Sequence, residues 1–158
     1  MKKFSTGLLT LGLCLAVSTT ALADGKIVST PTKKSITASS FVYRDYEPNN
    51  TPETANPYSV GGQIIGRLGD YYSSNGGWWD VTDVYKFTVN KRQKVTFQLG
   101  APQNVRLHLW SQLGGAGTDR NNNSFTVYLE PGITYELTVN APTIDDPLEY
   151  NVYSFVVD

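Results

Sequence analysis

From Phe41 onward, hydrophobic and polar residues alternate with a period of two in many short segments of the chain. In the segment 105–110, for example, every second residue is aliphatic and the residues between them are Arg106, His108 and Trp110. This alternation is typical of a β-strand with one buried face. Segments of this kind, separated by Gly, Pro, Asn and Asp, predict eight strands, at 41–47, 61–68, 83–89, 94–100, 105–112, 124–130, 133–140 and 150–157.

The segments between the predicted strands are typical of tight turns. Because Pro131 can fix φ and Gly132 can adopt a positive φ, the sequence Glu130-Pro131-Gly132 predicts a hairpin turn. A helical pattern occurs only at 51–55, where it is long enough for one or two turns. Glycine pairs predict further turns, at 61–62, 76–77 and 114–115. Without alternating strands and helices, the chain is predicted to be all-β, an antiparallel two-sheet β-sandwich of the jelly-roll type.

The N-terminal part of the chain does not follow the strand pattern. Two lysines precede an apolar run at 8–17, and Ala21-Leu22-Ala23 places small residues at the −3 and −1 positions of a signal-peptidase site. These features predict a secretory signal peptide at 1–23, cleaved after Ala23, because the apolar run is shorter than the roughly 20 residues that span a bilayer. Residues 24–40 are polar and rich in Ser and Thr, which predicts a flexible leader before one domain at 41–158.

Export changes the composition of the mature chain. Cys14, the only cysteine, leaves with the signal peptide, so the remaining 135 residues cannot form a disulfide. The formal net charge falls from −1 to −3 because two lysines are also removed. Without basic runs, the chain lacks the electrostatic signature of nucleic-acid binding. We therefore expect a secreted or periplasmic protein of one domain, with no membrane attachment after cleavage.

No group of residues in the sequence predicts a catalytic centre. His108 is the only residue whose ordinary pKa suits general-base catalysis near neutral pH, and no G-x-S-x-G nucleophile motif accompanies it. Because His108 alternates with aliphatic neighbours, we interpret it as a surface residue of a strand. The segment 119–130 is similar to a calcium-binding loop, but Ser124 replaces the required Gly, which favours a polar hairpin loop. We therefore predict no enzymatic activity.

Two acidic segments far apart in the sequence predict a cation site. Asp45, Glu47 and Asn49 are spaced i, i+2 and i+4, so an extended backbone places their oxygen-bearing side chains on one side. Asp80 and Asp83 form a second group where a predicted strand begins. Calcium prefers about six to eight oxygen ligands, whereas zinc prefers thiolates and imidazoles. If the sheets bring the segments together, they can hold a structural calcium ion; the alternative is that these residues only form turns.

An ordered series of motifs resembles the bacterial pre-peptidase C-terminal domain. The motifs in the first half of the domain are Glu47-Pro48-Asn49-Asn50-Thr51 with Ala55, Gly66-Arg67-Leu68, and Asp80-Val81-Thr82-Asp83-Val84-Tyr85-Lys86-Phe87-Thr88-Val89. Those in the second half are Arg106-Leu107-His108-Leu109-Trp110, the segment 129–139, and Tyr150-Asn151-Val152. The likeness covers about 41–158, nearly the whole mature chain.

The resemblance implies a non-catalytic β-sandwich. In this family the domain usually follows a secreted protease or collagenase and aids secretion, solubility or substrate attachment, and collagenase-type members bind collagen and calcium. The resemblance implies calcium ligands at Glu47, Asn49, Asp80 and Asp83, with Asp45 as an addition, while Asn50 stands where an acid often occurs. Because no protease precedes the domain in this sequence, we expect it to act alone or in trans.

Aromatic residues predict a surface for a partner. Arg106, His108 and Trp110 share one face of a predicted strand, and Trp78 and Trp79 lie in a predicted loop. Exposed Tyr and Trp supply rigid contact area for a protein or glycan. Two other functions remain open, namely a structural or inhibitory partner of a secreted peptidase acting in trans, and a hydrolase with an unrecognised carboxylate or metal site.

Overall fold

The computed structural model describes residues 41–72 and 78–157, and at 71–72 and 78–79 it describes the backbone alone. The predicted signal peptide at 1–23 and the leader at 24–40 lie outside the described residues. The described residues form twelve strands, and they contain no helix that is long and apolar enough to cross a membrane. The strands are β1 (Val42–Arg44), β2 (Asn56–Pro57), β3 (Gln63–Leu68), β4 (Tyr71–Tyr72), β5 (Trp78–Trp79), β6 (Thr82–Phe87), β7 (Gln93–Gly100), β8 (Arg106–Ser111), β9 (Gly114–Gly117), β10 (Ser124–Leu129), β11 (Tyr135–Asn140) and β12 (Leu148–Val156).

Ten of these strands form two five-stranded sheets. Sheet 1 has the order β1-β3-β12-β7-β10, sheet 2 has the order β2-β6-β11-β8-β9, and β4 and β5 form a separate two-stranded sheet. Antiparallel pairs join β3 to β12, β6 to β11, β7 to β10 and β8 to β9. The first of these eight strands therefore pairs with the last and the second with the next to last, and successive pairs alternate between the sheets. This connectivity is that of a jelly roll, as the sequence predicts.

The core lies between the two sheets, where the inward faces of the alternating strands meet. In β8, Leu107 is fully buried and Leu109 is nearly so, while Trp110 on the outer face is 54% exposed. Val95 and Phe97 of β7 are also fully buried. The period-two pattern therefore predicts correctly which faces of β7 and β8 are buried. A tight turn precedes β11, with Gly132 at a φ of 75°, but the prediction of a hairpin is wrong there, because β10 and β11 lie in different sheets.

All eight predicted strands are present, but other features differ from the sequence prediction. The prediction of purely antiparallel sheets is wrong at two edges, where β1 pairs parallel with β3 and β2 pairs parallel with β6. Alternation shows that a segment is extended, but not which way its neighbour runs. The segment 51–55 forms a turn, in which Thr54 N donates to Thr51 O at 3.1 Å, and not a helix. Gly114 and Gly115 begin β9 and do not form a turn, because this segment pairs with β8.

Candidate metal centre

The two acidic segments meet between the sheets. Asp45 directly follows β1 at the edge of sheet 1, and its amide N donates to Ile65 O of β3 at 3.1 Å. The chain then crosses to sheet 2, where Val84 N of β6 donates to Asn49 O at 2.9 Å. The loop at 45–50 thus links an edge of one sheet to a strand of the other.

The fold brings together the five residues that the sequence nominates as metal ligands. Carboxylate oxygens of Asp45, Glu47 and Asp83 all lie within 4.8 Å of one another. Asn49 joins them, because its Nδ2 donates to Asp45 Oδ1 at 2.5 Å and its backbone N donates to Glu47 Oε2 at 3.0 Å. Asp80 lies close enough to Glu47 for the two carboxyl groups to interact electrostatically. We call these five residues the acidic cluster.

Four oxygen atoms of the acidic cluster are buried without a hydrogen-bond partner among the described residues: Glu47 Oε1, Asn49 Oδ1, Asp80 Oδ2 and Asp83 Oδ1. A buried polar atom without a partner costs about 1–3 kcal/mol, and more when it is charged, so native proteins rarely gather several in one place. The ion pairs that arginine and lysine form in the described part of the chain involve Asp70, Glu136 and Glu130, not the cluster. The cluster therefore lacks a compensating positive charge from these side chains.

Burial and mutual repulsion act on the carboxyl groups of the cluster. Burial raises the pKa of Asp83 to about 9, and the neighbouring carboxylates act in the same direction. Burial, followed by the charge of Glu47, raises the pKa of Asp80 to about 7. Burial also raises the pKa of Asp45, partly opposed by a hydrogen bond from Tyr85. Without a cation, Asp83 therefore favours its protonated form at neutral pH, and Asp80 is close to the midpoint of its titration.

Two buried tyrosines that the sequence analysis did not single out hold the cluster from both sheets. Tyr85 of β6 donates from its hydroxyl to Asp45 Oδ1 at 3.0 Å, and Tyr150 of β12 donates to Asp83 Oδ2. The two hydroxyl oxygens lie 2.6 Å apart. Three contacts between two hydroxyl groups and two carboxyl groups require three hydrogens, and the hydroxyls supply only two. When Asp83 carries a proton, as its raised pKa favours, the Asp83 carboxyl group donates to the Tyr150 oxygen, and Tyr150 then donates to Tyr85 in place of Asp83.

A glycine in β3 makes room for one of these tyrosines. Gly66 is paired in register with Tyr150, and a Cβ atom on Gly66 would lie 2.2 Å from the Tyr150 hydroxyl oxygen. Any other residue at this position would therefore displace the ring that reaches Asp83. The sequence motif Gly66-Arg67-Leu68 contains this glycine, but its role is visible only when the strands are paired.

The donor set and its dimensions fit a calcium ion, which the family resemblance implies. Ligands bound to one calcium at about 2.4 Å lie no more than about 5 Å apart, and the three clustered carboxylates meet this limit. All the side chains involved offer oxygen, the ligand that calcium prefers, and none offers the nitrogen or sulfur typical of zinc sites. The carboxylates of Asp45, Glu47 and Asp83 meet the distance limit, and Asn49 and Asp80 each add a buried oxygen without a hydrogen-bond partner among the described residues.

The residues nominated for partner binding lie elsewhere. Arg106, His108 and Trp110 all lie on the outer face of β8, as the alternation predicts, and the rings of His108 and Trp110 are 6.1 Å apart with planes at 21°. Burial and the charge of Arg106 lower the pKa of His108. Trp78 and Trp79 form β5 and are not loop residues; they pair with β4, and their side chains lie outside what the structure describes.

Comparison with solved structures supports the fold. The pre-peptidase C-terminal domain of a collagenase from Bacillus anthracis is similar with a TM-score of 0.52 and 23% sequence identity, over 67% of this chain and 99% of that one. Two periplasmic inhibitors of g-type lysozyme are more distant. PliG from Aeromonas hydrophila has a TM-score of 0.49 and 11% sequence identity over 73% of this chain and 97% of its own. PliG from Salmonella Typhimurium has a TM-score of 0.45 and 17% sequence identity over 65% of this chain and 98% of its own.

The fold of this chain is therefore that of a pre-peptidase C-terminal domain, an all-β two-sheet sandwich, as the sequence resemblance indicates. At this level of identity the likeness concerns the fold alone. No family model and no curated protein matches the sequence.

Proposed function

We propose that this protein is an exported, non-catalytic binding module whose β-sandwich is stabilised by a calcium ion in the acidic cluster. The observation that carries the proposal is the convergence of four unpaired, buried oxygens from two segments about 30 residues apart. A divalent cation would pair these oxygens and offset the repulsion between the carboxylates. The ion would thereby join the loop at 45–50 to β6, and so connect the two sheets in a mature chain that has no disulfide.

The position of the acidic residues favours a structural role over a catalytic one. Asn49, Asp80 and Asp83 are fully buried, so a substrate cannot reach them without unfolding the loop at 45–50. His108 lies on the outer face of sheet 2 next to Arg106 and Trp110, and no hydrogen bond joins it to a nucleophile among the described residues. The exposed side chain of Trp110 instead offers contact area to a protein or glycan partner outside the cell or in the periplasm.

Thermal unfolding in calcium and in EDTA tests the proposal. At free calcium about 100-fold above Kd, the ion adds about 2.7 kcal/mol to the free energy of unfolding, which corresponds to a rise in the midpoint of roughly 10 °C. Asp83→Asn removes a ligand charge from the cluster and is expected to abolish most of this rise. In EDTA near pH 8 the same variant should melt no lower than the natural protein, because it also removes a buried carboxyl group that must take up a proton on folding.

Glu149→Gln is the matched control, because it removes an exposed carboxylate from β12 away from the acidic cluster. This variant should respond to calcium as the natural protein does. An unchanged midpoint of the natural protein between calcium and EDTA would rule out the structural ion. An equal calcium response in Asp83→Asn and Glu149→Gln would place the ion elsewhere in the chain.

A further inference from the structure

The outer face of β8 carries an aromatic strip, which we define as Arg106, His108 and Trp110. Its two rings lean across the edge strand β9. A Cβ atom on Gly115 would lie 2.7 Å from Trp110 Cε3, and one on Gly117 would lie 2.6 Å from His108 Nδ1. The glycines of β9 therefore provide the space in which the rings lie, and Trp110 remains 54% exposed.

A polar cavity of about 250 Å³ adjoins the strip at the end of the sandwich. It lies between the loop that precedes β8 and the loop that precedes β10, and Arg106 belongs both to its wall and to the strip. Guanidinium and amide groups form about half of the wall and come from Gln103, Arg120, Asn121, Asn122 and Asn123, while Leu99, Ala101, Pro102 and Val105 are apolar. Strip and cavity thus form one surface, and Trp110 lies four residues along β8 from Arg106, a distance of about 13 Å.

This surface has an excess of positive charge in a protein that is otherwise acidic. Arg106 Nη1 donates to the backbone oxygens of Gln103 and Val105, and not to a carboxylate. Arg120 is exposed and forms no ion pair within the described part of the chain. The one acid in the wall, Asp119, accepts hydrogen bonds from the backbone N of Asn121 and Asn122 at 2.7 and 2.9 Å. The cavity wall therefore carries two guanidinium groups and one carboxylate, and that carboxylate already accepts two backbone hydrogen bonds.

We infer that the strip and the cavity together bind a glycan chain that carries carboxylate groups. An exposed aromatic ring packs against the apolar face of a sugar ring, while guanidinium and amide groups form paired hydrogen bonds with carboxylates and hydroxyls. The inference rests on the proposed role as a binding module and names the class of its partner. A glycan is favoured over a peptide because the amide and guanidinium groups of the wall match the hydroxyl and carboxylate groups of an acidic sugar.

Affinity electrophoresis of the exported protein in calcium tests the inference, with polysaccharides cast into the gel. The acidic probes are carboxymethylcellulose and hyaluronate, and the neutral probe is hydroxyethylcellulose, which shares the backbone of the first. We expect at least one acidic probe to retard the natural protein and the neutral probe to have little effect. Trp110→Ala and Arg106→Gln should each weaken the retardation at least ten-fold.

Tyr128→Ala is the matched control, since Tyr128 is 57% exposed but lies on β10 of the other sheet, outside the strip and the cavity wall. Because Trp110→Ala also uncovers Gly115, His108→Ala provides a second variant of the strip. The inference is overturned if neither acidic probe retards the protein, if hydroxyethylcellulose retards it as strongly, or if Tyr128→Ala weakens binding as much as the strip variants. Thermal unfolding of the same variants in calcium and in EDTA separates failure of the glycan inference from failure of the calcium proposal. The strip variants should keep the calcium response even where glycan binding is lost.

Discussion

Tyr85 and Tyr150 position the acidic cluster as much as the backbone does. Burial raises the pKa of both hydroxyls, so both remain neutral donors at physiological pH. Each binds one carboxylate, and each comes from a different sheet. Groups that orient metal ligands in this way commonly change metal affinity by about 10- to 100-fold when they are removed.

We expect Tyr150→Phe to weaken calcium binding about ten-fold or more. The ring still fills its place in the core, but Asp83 Oδ2 loses the hydroxyl that orients it. Calcium titration of the exported protein measures the effect. Tyr153→Phe, on the outer face of the same strand, removes a hydroxyl whose one hydrogen-bond partner among the described residues is Gln63, at 3.2 Å, and should leave the affinity unchanged. Equal affinity in the two variants would contradict a positioning role for Tyr150.

The sequence identifies the acidic members of the cluster but not the tyrosines. Acidic residues at alternate positions stand out because each carries oxygen ligands, and Tyr85 could have been added because it lies two residues after Asp83 on the same face of β6. Tyr150 has no such signal. It is one of ten tyrosines, and 67 residues separate it from Asp83, so only the pairing of strands brings it to the cluster.

At the level of strands, the pair β3–β12 depends on a residue without a side chain. Gly66 allows the Tyr150 ring to lie across β3. In contrast, a Cβ atom on Gly100, in β7 of the same sheet, would have no neighbour closer than 3.8 Å. The two glycines form a natural pair for comparison, because neither has a positive φ.

Gly66→Ala should lower the free energy of unfolding by about 1–3 kcal/mol, because the added methyl overlaps the Tyr150 ring. Gly100→Ala should be neutral or slightly stabilising, because it reduces the conformational freedom of the unfolded chain. Urea unfolding in calcium measures both. A similar loss in both variants would mean that strand glycines as such, and not room for Tyr150, determine the stability.

Whether the sequence predicts a strand depends on whether its side chains alternate or whether only its pairing with a neighbour makes it extended. The eight predicted strands, seven of which have six residues or more, are visible in the sequence because aliphatic and aromatic residues occupy every second position. Strand β9 is not, because Gly-Gly-Ala-Gly has a low intrinsic preference for extended structure. It forms because β8 offers a paired edge, and its glycines accommodate the rings of His108 and Trp110.

For the whole molecule, the raised pKa values of the acidic cluster predict that stability depends on pH, and the proposed calcium ion would change that dependence. The pKa of Asp80 is raised to about 7 and that of Asp83 to about 9, both well above the ordinary value of 3.8. Between the ordinary pKa of 3.8 and the raised pKa of Asp83, about 9, the folded protein holds more protons than the unfolded chain. The free energy of unfolding therefore falls as the pH rises through this range. A bound cation replaces these protons and removes that dependence.

We therefore expect the unfolding midpoint in EDTA to fall between about pH 5 and about pH 9, and the midpoint in calcium to change much less. The stabilisation by calcium should accordingly grow with pH over this range. The double variant Asp80→Asn with Asp83→Asn lacks both carboxyls and should show a nearly flat profile in EDTA. A midpoint in EDTA that rises or stays constant for the natural protein would contradict the electrostatic description of the cluster.

Calorimetric titration of the chelator-treated, exported protein with calcium near pH 8 addresses the ion itself. Saturable binding by the natural protein, lost in the double variant Asp80→Asn with Asp83→Asn and retained in Glu149→Gln, is the expected result. No binding by the natural protein, or undiminished binding by the double variant, would show that these buried oxygens do not hold calcium.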